Sequence, residues 1–209
     1  MLLPLALFLL FAIPQSVPSQ DENELDLTKA PPPQSEPGAG RVWAGGIANS
    51  DAPKLPLEVT LLNVNAEHYR LGDTIAYEVR LKNSGKQSVT IPWSGDRSLR
   101  PDTPEEAKLR GYVDLRICLS VADRAGDRYL MAGQTVHGLS GLEYTFKTIA
   151  PGESVVIRAK GPLSLQPQEV TRVLPDSTSD VELFASVNLL PYRLTNSGNR
   201  IVVRLSRAP

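Results

Sequence analysis

The sequence predicts an all-β chain: an antiparallel β-sandwich of about eight or nine strands, with one short helix in a connecting loop. Three observations predict it. Apolar and polar residues alternate strictly through most of the chain from residue 57 onward, the period that gives a strand one buried and one wet face. Turn-forming clusters separate the alternating runs. No stretch carries a long helical period.

The first alternation is Leu57, Val59 and Leu61, after which the parity flips to Leu62 and Val64. Such a flip predicts a bulge, or a strand that changes sheets. The segment on which the rest is expected to pack spans residues 71–93. Ile75, Tyr77, Val79 and Leu81 face one way, and Val89, Ile91 and Trp93 repeat the pattern. Asn83-Ser84-Gly85-Lys86 lies between them and is expected to close a hairpin, with Gly85 at positive φ. Pro92 cannot donate to a ladder, so the second strand ends there or lies at an edge. Trp93 reads as a core aromatic rather than a ligand platform.

Residues 94–111 form a long polar connection. Within it Thr103 suits a helix cap, Pro104 the first helical position, Glu106 a capping box and Gly111 the stop. The cleanest alternation follows over residues 112–123, with Val113, Leu115, Ile117, Leu119 and Val121 inward. Asp114, Arg116, Cys118 and Ser120 fall on the polar side. Cys118 is therefore a candidate reactive thiol, although reactivity also needs a lowered pKa. Residues 123–127 turn the chain into a short strand over 128–131, and Leu142, Tyr144 and Phe146 make the next alternation. Val155, Ile157 and Ala159 follow. A second long connection, 161–180, leads to Val181, Leu183, Ala185, Val187 and Leu189, opposite Glu182, Phe184, Ser186 and Asn188. Asn196-Ser197-Gly198-Asn199 repeats the turn chemistry before Ile201, Val203 and Leu205.

The amino-terminal quarter differs in composition. Residues 2–13 are an apolar run too short to cross a bilayer comfortably, followed by Pro14 and a small-residue zone. Residues 1–20 are expected to be a signal peptide, or an N-terminal anchor if uncleaved. No Lys or Arg precedes the run, which leaves a start further upstream open. Residues 21–56, acidic and then rich in Pro and Gly, are expected to be a mobile linker, and 57–209 the sandwich domain. Val42-Trp43 is the linker's one apolar spot, read as a stray exposed pair rather than a docking element.

Composition narrows the function classes. A net charge of -1 without a single-sign field gives no reason to expect nucleic acid or an anionic membrane surface as partner. The single cysteine leaves no intrachain disulfide framework. The two histidines, His68 and His137, lie outside any zinc spacing and are expected in turns. Gly138-Leu139-Ser140-Gly141 falls short of a nucleophile elbow. Asp96, Asp102, Glu105 and Glu106 cluster, but Arg97, Arg100, Lys108 and Arg110 are interleaved with them, which favours a salt-bridged loop over a calcium site. No metal or cofactor is expected.

Leu71-Gly72-Asp73-Thr74-Ile75, Leu81-Lys82-Asn83-Ser84-Gly85 and Ile149-Ala150-Pro151-Gly152-Glu153-Ser154 together resemble bacterial immunoglobulin-like sandwich domains of exported proteins. Within that class the chain looks most similar to fibronectin-like and proteinase-inhibitor-like accessory domains. The resemblance covers roughly residues 57–207 and implies the sandwich; residues 94–111 depart from a minimal member, and no functional residues carry over.

The expected function is a non-catalytic, exported binding or accessory module, secreted or periplasmic. Loops 94–111 and 161–180, at one end of the sandwich, would hold a protein or glycan partner in the cell envelope or outside the cell. Arg97, Arg100, Arg110, Asp96 and Asp102 are the candidate binding residues. A protease inhibitor, a glycan-active hydrolase with carboxylates on the 94–111 loop, and a structural spacer of an envelope assembly are the alternatives.

Overall fold

Alternation becomes strand through most of the chain in the computed structural model, which describes residues 23–29 and 52–207. The expected signal peptide and Val42-Trp43 lie outside the described residues. In chain order the strands are β1 (Glu24–Asp26), β2 (Leu57–Val64), β3 (His68–Arg70), β4 (Thr74–Asn83), β5 (Val89–Pro92), β6 (Tyr112–Ala122), β7 (Arg128–Leu139), β8 (Phe146–Ile149), β9 (Ser154–Pro162), β10 (Thr178–Leu189), β11 (Thr195–Asn196) and β12 (Ile201–Ser206). Helix α1 (Pro104–Leu109) lies between β5 and β6, and α2 (Pro167–Val173) between β9 and β10.

The strands form an immunoglobulin-like β-sandwich. One sheet has the order β1-β9-β4-β2; the other has β3-β12-β10-β6-β7, with β11 added to β10. β5 and β8 make a separate ribbon. Pairing is antiparallel except at two short edges, where β1 runs parallel to β9 and β3 parallel to β12. Between the sheets lie the inward residues that the alternation marks, among them Ile75, Val79, Leu81, Leu115, Ile117, Leu119, Ile157, Ala185 and Val187, all buried. Tyr77 joins the layers by a polar contact as well, its hydroxyl donating to the Ile117 carbonyl at 3.0 Å.

The bulge in β2 falls where the parity flips, between Leu61 and Asn63. The segment 71–93, however, is not a hairpin. β4 pairs with β2 and β9, while β5 pairs with β8. The reason is Asn83. Fully buried, its side-chain amide donates to the carbonyls of Gln87 and Ile149, both at 2.8 Å, and its Oδ1 accepts from Gly85 N at 2.9 Å. That bracket lifts the chain out of the first sheet toward β8. Gly85 is not among the positive-φ glycines; a Cβ there would meet Pro56 Cβ at 3.1 Å, so close approach rather than backbone sign calls for glycine.

Other expectations are also corrected. The strand expected at 128–131 runs on to Leu139, and the alternation at 142–146 is a 3-10 turn, Glu143–Thr145, leading into β8. Both histidines therefore sit on strands, His68 in β3 and His137 in β7, not in turns. The expected linker contributes β1, with Leu25 and Leu27 buried in the core. Phe184, expected outward, does point away from the core, yet it is buried beneath the guanidinium groups of Arg200 and Arg128 at 4.4 and 5.7 Å from its ring centre. α2 was not foreseen; it opens on a capping box between Gln166 and Glu169.

Candidate functional site

The site is built where residue 94 leaves the β5–β8 ribbon. Ser94 pairs with His137 as an extra rung beyond β7, donating its amide to the His137 carbonyl at 3.1 Å and accepting the His137 amide at 2.8 Å. Two residues on, Asp96 caps the 3-10 turn Arg97–Leu99 by accepting from Ser98 N at 2.9 Å. Those bonds from Ser98 hold the Asp96 carboxyl below the usual carboxylate range. Leu99 is buried and pins the turn to the body.

Beneath this loop lies His137, only 3% exposed although it belongs to the outer face of its sheet. Its Nδ1 is hydrogen-bonded to the Tyr112 hydroxyl at 2.6 Å. Burial pushes the imidazole pKa down; Asp114 and Asp96 oppose that shift, and Arg100 and Arg97 reinforce it. Burial, with Asp114 beside it, pushes the Tyr112 hydroxyl up to about 12. Asp114 in turn pairs with Arg116 at 3.0 Å. The histidine and tyrosine are thus a neutral hydrogen-bonded pair at neutral pH, ringed by carboxylates and guanidinium groups.

The structure brings three of the sequence-predicted residues together here: Asp96, Arg97 and Arg100. The other two, Asp102 and Arg110, flank α1. Glu106 pairs with Arg110 at 3.1 Å and accepts from Asp102 N at 3.1 Å, while Thr103 accepts from Glu106 N at 3.1 Å. Cap and helix start fall where the sequence put them, the acceptance by Glu106 moved one residue back. Tyr112, Asp114, Arg116 and His137 were missed as site residues. The parity of β6 already placed Asp114 and Arg116 outward, whereas His137 required knowing that β7 extends to it.

Loops 94–111 and 161–180 do not share an end of the sandwich. β6 carries Tyr112 at the first and Ala122 at the second, and its 11 residues separate the two ends by about 33 Å. α2 belongs to the far end, where Arg172 meets Asp127 at 3.4 Å and the Tyr129 hydroxyl at 3.3 Å.

Cys118 is corrected too. Its parity is as expected, across from Gly133 and Ser186 on the outer face, but it is buried. A Cβ on Gly133 would lie 3.0 Å from its sulfur, so the thiol occupies the space that glycine leaves. Burial pushes its pKa well up, the opposite of what a reactive thiolate needs. Among the described residues no group of three or more His, Cys, Asp and Glu is placed to hold a metal ion. Two shallow hollows of about 310 and 590 Å³ flank His68, and neither takes in a residue of 94–111.

No protein-family model matches the chain, and no curated protein matches it. Solved structures with a partial likeness include Spo0M, a sporulation control protein from Bacillus subtilis, 14% identical, covering 74% of this chain and 51% of that one, with a TM-score of 0.37. A CARDB domain from Pyrococcus furiosus is 14% identical over 75% of this chain and 97% of its own, at a TM-score of 0.32. A β-glucosidase from Listeria innocua is 11% identical over 73% of this chain and 16% of its own, at 0.32. The chain spans about half the length of the sporulation protein. With TM-scores this low, the likenesses carry no argument about function.

Proposed function

We propose that the chain is a non-catalytic binding module acting outside the cytoplasm, which holds a protein or glycan partner with the 94–100 end of its sandwich. The observation that carries this reading is the fixing of that loop. Ser94 is bonded into the sheet, Asp96 caps the turn and Leu99 is buried, so Arg97 and Arg100 are presented from backbone that is already ordered. Preorganised arginines favour contact with a partner, because little ordering remains to oppose association. The apolar run at residues 2–13 with the small-residue zone behind it supports export. A hydrolase reading finds less support, since the Asp96 and Glu106 carboxylates serve as local caps.

The test is capture of a partner from envelope extracts by immobilised protein, comparing wild type with the Arg97→Ala/Arg100→Ala double variant and with Arg110→Ala. The double variant loses the partner while its melting temperature stays within about 2 °C of wild type; Arg110→Ala retains it. Equal capture by all three discards the site.

A further inference from the structure

Residues 23–27 sit on the sandwich as an added part. Glu24, Leu25 and Asp26 lie parallel to Val156, Ile157 and Arg158 along the outer edge of β9. Val156 N donates to the Asn23 carbonyl at 2.9 Å, and Leu27 N donates to the Arg158 carbonyl at 2.8 Å. Leu25 and Leu27 turn inward and are buried. Leu27 lies so close to Gly95 that a Cβ there would be 2.8 Å from its Cδ2. On the outside, the Arg158 guanidinium meets Glu24 at 2.8 Å and Glu78 at 2.9 Å.

These are the recognition elements of strand addition: main-chain bonds along an edge, and side-chain pockets at alternate positions. The contrast with the neighbouring strands is sharp. β4 and β9 are 10 and 9 residues long, β1 only 3. No hairpin turn joins β1 to β9, which lies about 130 residues further along the chain. A short strand held by two leucines and an exposed ion pair is the piece expected to open before the sandwich does. Once it is open, β9 presents an unpaired edge.

We infer that the β9 edge is a docking groove for an extended segment of another protein chain, with leucines two residues apart and acidic residues at the alternate positions. Residues 23–27 are its resident, displaceable occupant. The groove dictates this chemistry. Its two apolar holes are spaced for alternate side chains, and Arg158, held from the other side by Glu78, stands at the open side, where an incoming carboxylate takes the place of Glu24. The inference goes beyond the proposed function and does not depend on Arg97 or Arg100.

Two measurements on the full-length protein test it. Hydrogen exchange of the wild type should show the amides of Leu27 and Val156 exchanging at least roughly ten-fold faster than that of Val79 in the central strand; equal protection would make the strap a permanent part of the sheet and overturn the inference. The Leu25→Asp/Leu27→Asp variant, its strap dislodged, is then titrated with a fluorescent peptide of residues 23–29. It should bind that peptide roughly ten-fold or more tightly than wild type does, and should ignore a peptide carrying Asp at both leucine positions. A variant that keeps its β-sheet circular dichroism yet binds neither peptide sinks the proposal. If the variant loses its β-sheet signal, the exchange result decides alone.

Discussion

Asn83 and His137 show how single buried polar side chains shape this protein. Asn83, itself fully buried, satisfies the buried Ile149 carbonyl and also bonds the half-buried Gly85 amide and the Gln87 carbonyl. Asn83→Ala should cost about 2–3 kcal/mol, read as a fall in melting temperature of roughly 5–10 °C. His137 makes a different prediction. Its folded-state pKa lies below the ordinary value of 6.5, so the unfolded chain binds a proton at higher pH than the folded one. The stability tied to the neutral ring is complete above pH 6.5 and drains away as pH falls from there toward the lowered pKa. Thermal scans between pH 7.5 and 5.5 should show that decline in wild type, and His137→Gln should flatten it. The facing groups are Tyr112, Asp114, Asp96, Arg97 and Arg100; an unchanged slope in the variant would assign the decline to other groups. Neither role was legible in the sequence, because an Asn-Ser-Gly triplet reads equally as a turn and a lone histidine carries no spacing.

Strands that are amphipathic over their whole length, such as β4, β6, β9 and β10, declared themselves, since each presents one dry face to the opposite sheet. Their partners did not. Whether β4 bonds to β5 or to β9 depends on edges brought together from distant parts of the chain, and alternation is silent about edges. β1, β3 and β11, at three, three and two residues, are too short to show a period at all. Helix α2 escaped because Gln166 caps it where Ser, Thr, Asp or Asn is the usual signal. The β1 strap also behaves differently under mutation from a strand of the body. Leu81→Ala, in the middle of the first sheet, should cost about 2–5 kcal/mol. Leu27 is as well buried as Leu81, at 1% and 0% exposure, but its loss is limited to the free energy of strap opening, which is smaller than that of unfolding the whole sandwich. Chemical denaturation of the two variants checks the difference; equal losses would mean that the strap unfolds only with the whole.

Taken together, the sandwich is a two-ended object whose ends are chemically separate. One carries Tyr112, His137 and the fixed arginines, the other α2 with its Arg172–Asp127 pair. Arg172→Ala should therefore leave partner capture at wild-type strength in the same extracts in which the Arg97→Ala/Arg100→Ala protein fails, and a loss on replacing Arg172 would move the binding surface to the far end. The layered core was readable from hydropathy alone, but the placing of two loops at opposite ends follows from strand direction, which no local pattern encodes. That direction has a practical side. β1 begins near the start of β9, at the same end as the arginine loop, whereas Ser206 pairs with Thr178 at the opposite pole. A sensor surface or affinity bead coupled beside β1 crowds the arginine loop, and coupling beside the end of β12 turns that loop outward to the analyte.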